Sequence, residues 1–317
     1  MHASMKALLA GQFGRSERED WEHVLHQACP AVRWLTPQAA AQDPAGVRVA
    51  VVANPAPGAL QGLPRLALIQ SLWAGVDRLL ADPTLPADVP LARMVDPMMS
   101  TAMAETALWA VLSLQRDFFA YARQQCARDW RPHPQRRAGE TRVTVLGLGE
   151  MGRGAALALA RQGFAVTGWA ARPRVLPDGV GGAFGDDALA ALLPATDVLV
   201  NLLPLTPATR GLLAAPLFAA LPRGAGVVNL ARGDHVADDD LMVALASGQV
   251  GHAVLDVFAH EPLPSDHPYW THPRVTVLPH VAAATDLRSA AAVVACNLQA
   301  LAEGRTPAHL VDRARGY

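Results

Sequence analysis

Cysteine is scarce. The 317 residues contain three, Cys29, Cys126 and Cys296. They form neither a CxxC pair nor a zinc spacing, which excludes a disulfide scaffold and suits a reducing compartment. Charge is sparse too: 17% of residues, for a formal net charge of −1. With no long Lys/Arg run, there is no electrostatic footprint for nucleic acid. Long hydrophobic runs are also missing. No stretch of about 18 residues lacks a charge, proline or glycine break, so no membrane span and no membrane partner are expected. The apolar run in "MHASMKALLAGQFGRSERED" is too short for a signal peptide, so the expected location is cytoplasmic. There is no HExxH and no grouping of carboxylates, and no metal is expected. No repeat of fixed period and no low-complexity tail is present.

What the chain does have is apolar residues, 51% of the total. At this length that is enough for two domains, each with its own core. Short β-type runs alternate with Ala/Leu-rich helical stretches, the pattern of α/β architecture with parallel sheets. The first set is "MKALLAG", "VRVAVVAN", "LALIQSLWAG" and "PLARMVD". A long helical pattern over residues 101–130 follows, with Leu108, Val111, Leu112 and Phe119 at helical spacing. Its aromatics and leucines exceed what one domain needs to cover, which marks it as a dimer element. "RPHPQRRAGE" breaks it. A second set follows: "RVTVLG", "FAVTGWA", "DVLVNLLP", "GVVNLAR", "AVLDVF" and "RVTVLPH". The last helical stretch, closed by Gly304, can return to pack on the first domain.

Gly147, Gly149 and Gly152 spell G-x-G-x-x-G between the strand "RVTVL" and the helix "RGAALALARQG". The first glycine permits a tight turn, the second lets backbone approach a pyrophosphate, and the third lets helix and strand pack closely. The helix N-terminus offers free N–H groups and partial positive charge to phosphate. Alone the motif is weak, but here it has the strand-before, helix-after context of a dinucleotide site. The next strand ends "GWAARPR". Ala170 stands where an acid would bind the ribose 2′-hydroxyl of NAD, and Arg172 and Arg174 follow. A missing carboxylate beside guanidinium groups suits a 2′-phosphate. NADP is therefore the expected cofactor and NAD the alternative, the competing reading of the arginines being solvated loop cations.

Ligands of open parallel sheets bind at the carboxyl ends of the strands. "NLARGDH" places Arg232 at one such end, "LDVFAHEPLP" places Glu261 after the next, and "TVLPHVAAAT" places His280 at the last. Singly these read as a surface cation, a loop residue before proline and a packing histidine. Together they form an acid–base set beside a nicotinamide site. Arg232 can hold a 2-oxo acid's carboxylate and polarise its carbonyl. His280 can supply a proton near neutral pH, and Glu261 can orient its ring.

The order G-x-G-x-x-G, "NLARG", "LDVFAHEPLP", "PHVAAAT" resembles the D-isomer-specific 2-hydroxyacid dehydrogenase family across essentially the whole chain. "NLLPLTPATRGLL", "HPYWTHPRVTVLPHVAAAT" and the terminal "VDRARGY" are similar to its glyoxylate/hydroxypyruvate reductase A type. The resemblance implies two doubly wound parallel-sheet domains, a Rossmann cofactor domain (98–286) inserted into a discontinuous flavodoxin-like substrate domain (1–97 plus 287–317). It implies reduction of small 2-oxo acids to 2-hydroxy acids, preference for NADPH, and a homodimer. The family's catalytic Arg, Glu and His fall on Arg232, Glu261 and His280. "SLWAGVD" resembles its substrate loop, placing Ala74, Gly75 and Val76 at the substrate carboxylate, with Trp73 either lining the pocket or packing. Asp256 falls near the nicotinamide. Glu150, Met151, Leu203, Pro204, Thr209, Leu230 and Ala231 complete the cofactor-side set with His280. Glu105 is expected to be structural, and Arg93 is a candidate second carboxylate partner. One departure is that Ala171 stands where this type carries an arginine, Arg172 coming one later. His252, His260, His267 and His272 are expected to be loop or surface histidines, and no packing reason for "VDRARGY" is evident. A reductase of a larger 2-oxo acid, or a dinucleotide-sensing regulator on the same fold, are the alternative functions.

Overall fold

The computed structural model describes residues 5–317. The chain divides into two compact units: one runs to Met98 and resumes over Thr285–Tyr317, the other is Met99–Ala284. In chain order the strands are β1 (Lys6–Gly11), β2 (Arg33–Leu35), β3 (Val47–Ala53), β4 (Leu68–Ser71), β5 (Leu91–Ala92), β6 (Arg142–Leu146), β7 (Ala165–Ala170), β8 (Gly181–Phe184), β9 (Val198–Asn201), β10 (Ala225–Asn229), β11 (Val250–Leu255) and β12 (Val275–Val277). The helices are α1 (Arg15–Ala28), α2 (Pro37–Gln42), α3 (Asp77–Leu80), α4 (Pro97–Gln115), α5 (Phe118–Ala127), α6 (Glu150–Arg161), α7 (Asp186–Leu192), α8 (Ala215–Ala220), α9 (Asp238–Ser247) and α10 (Leu287–Ala302).

The first unit is a parallel sheet in the order β2-β1-β3-β4-β5, the flavodoxin-like order. Its centre, β3, is buried along its length except at Arg48, as a strand covered on both faces must be. Asp286 caps α10 by accepting the Ser289 N–H at 2.9 Å, and α10 packs on α1. Buried Asn297 of α10 donates to buried Gln70 of β4 at 2.6 Å, so the last helix belongs to the first unit's core. The terminal "VDRARGY" does have a packing role. Arg313 donates to the carbonyls of Pro86 at 2.9 Å and Val89 at 2.6 Å, and the Val311 N–H donates to Leu91.

The second unit is a seven-stranded sheet in the order β12-β11-β10-β9-β6-β7-β8, parallel throughout. Residues alternate between its faces: Val198 and Val200 enter one apolar cluster and Leu199 the other, the period of two that a doubly covered sheet requires. Strand order reverses between β6 and β9, the topological switch point where doubly wound sheets take their ligand. The fold class expected from the sequence, two doubly wound parallel-sheet α/β domains, is the one observed.

Two details differ from the sequence reading. Strands β2 and β8 carry no strand signal, being "RWL" and the glycine-led "GGAF". The helical stretch 101–130 is two helices, because Asp117 takes a left-handed φ of 58° between α4 and α5. Among the described residues, no helix is long and apolar enough to cross a membrane.

Candidate active site

The site is built on one row of strand ends. Leu146, Asn201, Asn229, Leu255 and Val277 are register partners across β6, β9, β10, β11 and β12. Apart from Arg172 and Arg174, which follow β7, the candidate residues of the second unit lie just beyond this row or on the helix and loops that leave it.

After β6 the three glycines do three different things. Gly147 has φ +94°, and a Cβ there would sit 2.6 Å from the Leu202 carbonyl oxygen. A Cβ on Gly152 would lie 1.8 Å from the Gly147 carbonyl oxygen, so the third glycine packs the helix against the turn itself. At Gly149 a Cβ would meet nothing within 4 Å. It stands exposed at the N-cap of α6 with no side-chain cap, leaving an open cradle lined by first-turn N–H groups. Glu150 is exposed and Met151 half-buried in that turn. This geometry fits a dinucleotide pyrophosphate. Ala170 closes β7, and Arg172 and Arg174 are exposed in the loop after it. Arg153 of α6 donates to Val175 of the same loop at 2.5 Å. Sequence reading passed over Arg153, whose position one turn into the helix after G-x-G-x-x-G was the available signal.

Leu203 and Pro204 follow β9, where Thr209 folds back to donate to the Pro204 carbonyl at 2.7 Å. Leu230 and Ala231 are buried after β10 and lead into Arg232. The next residue, Gly233, explains where Arg232 ends up: a Cβ there would lie 1.9 Å from the Phe258 carbonyl carbon. The Arg232 turn is thus pressed against the loop whose Phe258 N–H donates to Glu261 Oε1 at 2.9 Å. Glu261 Oε2 in turn lies 2.8 Å from His280 Nδ1. Burial pushes the Glu261 carboxyl up, but the hydrogen bonds from His280 and the Phe258 N–H and the charges of His280 and Arg232 outweigh it. The net effect holds Glu261 below the ordinary carboxylate range.

His280 takes a left-handed φ of 55°, which costs a non-glycine residue about 1–2 kcal/mol. Asp256 holds it there. The His280 N–H donates to the Asp256 carbonyl at 2.9 Å, and the two carboxylate oxygens accept the Val281 and Ala282 N–H groups at 2.7 and 3.0 Å. Asp256 is therefore a structural clamp on the His280 turn, and burial keeps its carboxyl above the usual value.

The first unit holds the other candidates. Trp73 packs edge-on against buried Trp21, ring centroids 6.3 Å apart, and remains partly exposed. Ala74, Gly75 and Val76 follow, with Val76 buried at the start of α3. Arg93 follows β5, its N–H donating to His309 of the tail. In the second unit Glu105 is exposed on α4. His252 is not a surface residue: it is buried in β11 and stacked on Phe119 at 4.3 Å, and burial pushes it down to about 4. It lies mid-strand on a face covered by α5, which periodicity alone does not reveal. His260, His267 and His272 lie outside the regular elements, with His267 and His272 accepting the Tyr269 and Arg274 N–H groups.

An open glycine cradle at the switch point, with an Arg, a Glu–His pair and a supporting Asp on the next strand ends, defines a nucleotide-dependent oxidoreductase. Residues 108–282 match the model for the D-isomer specific 2-hydroxyacid dehydrogenase, NAD binding domain, and the chain belongs to that family. A glyoxylate/hydroxypyruvate reductase A from Serratia proteamaculans is 41% identical over 304 residues, 94% of this chain and 96% of that one. A D-isomer specific 2-hydroxyacid dehydrogenase from Xanthobacter autotrophicus, solved with NADPH and MES, matches with TM-score 0.93 and 40% identity over 99% of this chain and 100% of that one. An NADPH-dependent glyoxylate/hydroxypyruvate reductase from Sinorhizobium meliloti, solved with NADP and sulfate, matches with TM-score 0.91 and 36% identity over 99% and 100% of the two chains.

Proposed function

We propose that this chain reduces small 2-oxo acids, glyoxylate and hydroxypyruvate first among them, with NADPH preferred over NADH. The observation that carries the reading is the 2.8 Å pair of His280 and Glu261, beside the Arg232 turn and on the same strand-end row as the open glycine cradle. Relatives named for these two substrates and neighbours solved with NADPH or NADP support it.

The cofactor, when bound, supplies hydride to C2 of the acid. Gly149 and the first turn of α6 take its pyrophosphate. Arg172 and Arg174, with Arg153 behind them, take the 2′-phosphate that the missing acid at Ala170 leaves room for. Arg232 pairs with the substrate carboxylate and draws charge from the carbonyl oxygen. With Nδ1 engaged by Glu261, His280 Nε2 gives its proton to that oxygen as the C–O double bond becomes an alcohol. The Glu261 carboxylate, held to Nδ1 at 2.8 Å, keeps Nε2 aimed. In the reverse direction neutral His280 removes the hydroxyl proton. The first unit is the substrate domain in this reading, with Ala74, Gly75 and Val76 as its candidate loop. The α4–α5 segment, with Trp109 and Phe118 exposed, is the face of a homodimer.

The test is loss of NADPH absorbance with purified protein and glyoxylate or hydroxypyruvate, repeated with NADH. Rapid NADPH oxidation and slow NADH oxidation are expected. Faster NADH oxidation would sink the 2′-phosphate assignment, and no oxidation by either would sink the substrate assignment. His280→Ala is expected to lower kcat by about 100-fold or more, in line with the loss of a general acid, with NADPH affinity nearly unchanged. Turnover near the wild-type rate would remove His280 from the proton path.

A further inference from the structure

Beneath the candidate site runs a closed chain of hydrogen bonds that the proposed reaction does not use. Asn201 ends β9 and Asn229 ends β10, paired in register and fully buried. The Asn201 amide nitrogen donates to Asn229 Oδ1 and lies against His235 Nδ1, both at 3.0 Å. The Asn201 oxygen accepts the Leu203 N–H at 3.2 Å. Asn229 Oδ1 accepts the Ala231 N–H at 3.3 Å, while its Nδ2 donates to the Arg232 carbonyl at 2.9 Å. His235 Nε2 faces the Pro204 carbonyl at 3.3 Å, and His235 has no exposed surface.

The arithmetic of donors and acceptors leaves one arrangement. Each asparagine's orientation is set by a backbone partner: the Leu203 N–H finds an oxygen, the Arg232 carbonyl a nitrogen. An amide nitrogen only donates, so His235 Nδ1 is a bare acceptor and the ring proton sits on Nε2, facing a carbonyl that only accepts. Burial, and then the charge of Arg232, hold the ring in this neutral form. The chain thus runs from Pro204 through His235, Asn201 and Asn229 to the backbone of Arg232. The His235 N–H meets the same Arg232 carbonyl at 3.3 Å.

We propose that His235 is a positioning residue: through Asn201 and Asn229 it fixes the backbone of Arg232, and so the place where the guanidinium receives the carboxylate of the 2-oxo acid. Without the imidazole acceptor, the second N–H of Asn201 is buried and unsatisfied, and the amide turns away to find a partner. Asn229 then loses its donor, and the Arg232 carbonyl loses the orientation that Asn229 gives it. The proposal rests on the reading of Arg232 as the carboxylate-binding residue.

The experiment compares wild type, His235→Leu and His235→Asn for KM and kcat with glyoxylate, for NADPH affinity by fluorescence titration, and for Tm. Leucine fills the space without an acceptor. It is expected to raise KM for glyoxylate by about 10- to 100-fold, the scale of a misplaced binding group, with NADPH affinity within about threefold. Asparagine returns an acceptor near the Nδ1 position and is expected to recover most of the KM. Unchanged KM and kcat in a folded leucine variant would overturn the proposal, as would NADPH affinity falling in step with KM. The latter would mean that the chain serves the Pro204 loop. Should the leucine variant not fold, Asn229→Ala cuts the same link from the other end and is judged by the same outcomes. A wild type inactive with every 2-oxo acid tested would overturn the reading of Arg232 itself, an outcome separate from an active wild type with an indifferent leucine variant.

Discussion

Two carboxylates, Asp256 buried and Asp197 half-buried, show how partners decide the sign of a pKa shift. Asp256 is 1% exposed; desolvation, helped by the Glu261 charge, outweighs the Val281 and Ala282 N–H groups and the His280 charge, and its carboxyl is pushed up. Asp197, which precedes β9, meets the same desolvation. It also accepts from the Arg142 side chain and N–H and from Arg136, and these pull it down to about 2. The consequences for stability are opposite. Asp256 binds its proton more tightly folded than unfolded, so its contribution grows as pH falls through that raised value. Asp197 stabilises the fold above the ordinary aspartate value, and the contribution is lost as pH falls toward about 2. Arg142 is half exposed, so solvent discounts the pair to roughly 0.2–1 kcal/mol. Urea unfolding at neutral pH and down to pH about 3 should show wild type losing stability relative to Asp197→Asn. Parallel curves would mean that the pair contributes nothing.

The β6–α6 turn separates two glycines that the fold needs from a third, Gly149, that only the proposed pyrophosphate site would need. At Gly152 an added Cβ overlaps the Gly147 carbonyl oxygen, and backbone has nowhere to move. Gly152→Ala should therefore cost about 2 kcal/mol or more, the range of overpacked sites, seen as a lower Tm. Gly149→Ala meets no protein atom within 4 Å and should leave Tm nearly unchanged while weakening NADPH binding. A Gly149→Ala variant that binds NADPH normally would show that the cradle is not where the pyrophosphate lies. The same logic applies at Gly233, whose missing side chain lets the Arg232 turn press on the Glu261 loop. The sequence marks this glycine only as part of "NLARG".

At the scale of the whole molecule, α4 and α5 carry exposed aromatics. Trp109 is 42% and Phe118 53% exposed, exposed apolar side chains of the kind that a proposed dimer face would bury. In analytical ultracentrifugation the wild type is expected to sediment as a dimer and the double variant Trp109→Asp, Phe118→Asp as a monomer. A wild type that sediments as a monomer, or a double variant that stays dimeric, would move the interface elsewhere.

Much of this organisation is local and could be read before any coordinates. Strand periodicity, the glycine turn and the Arg, Glu and His at three successive strand ends are set by residues a few positions apart. The sequence therefore carries the α/β class and the candidate set. What folding added concerns partners distant in the chain. Asn201, Asn229 and His235 become one network only because β9 and β10 lie side by side with their ends level. His252 is buried under the Phe119 ring of α5, a partner more than 130 positions away. The "VDRARGY" tail finds its role only where Arg313 meets the carbonyls before β5. The two-residue break at Arg116 and Asp117 and the glycine-led β8 also depend on packing that no local preference announces. Whether a polar side chain is satisfied, exposed or idle depends on what lies across the sheet from it, and strand order, not spacing, sets that.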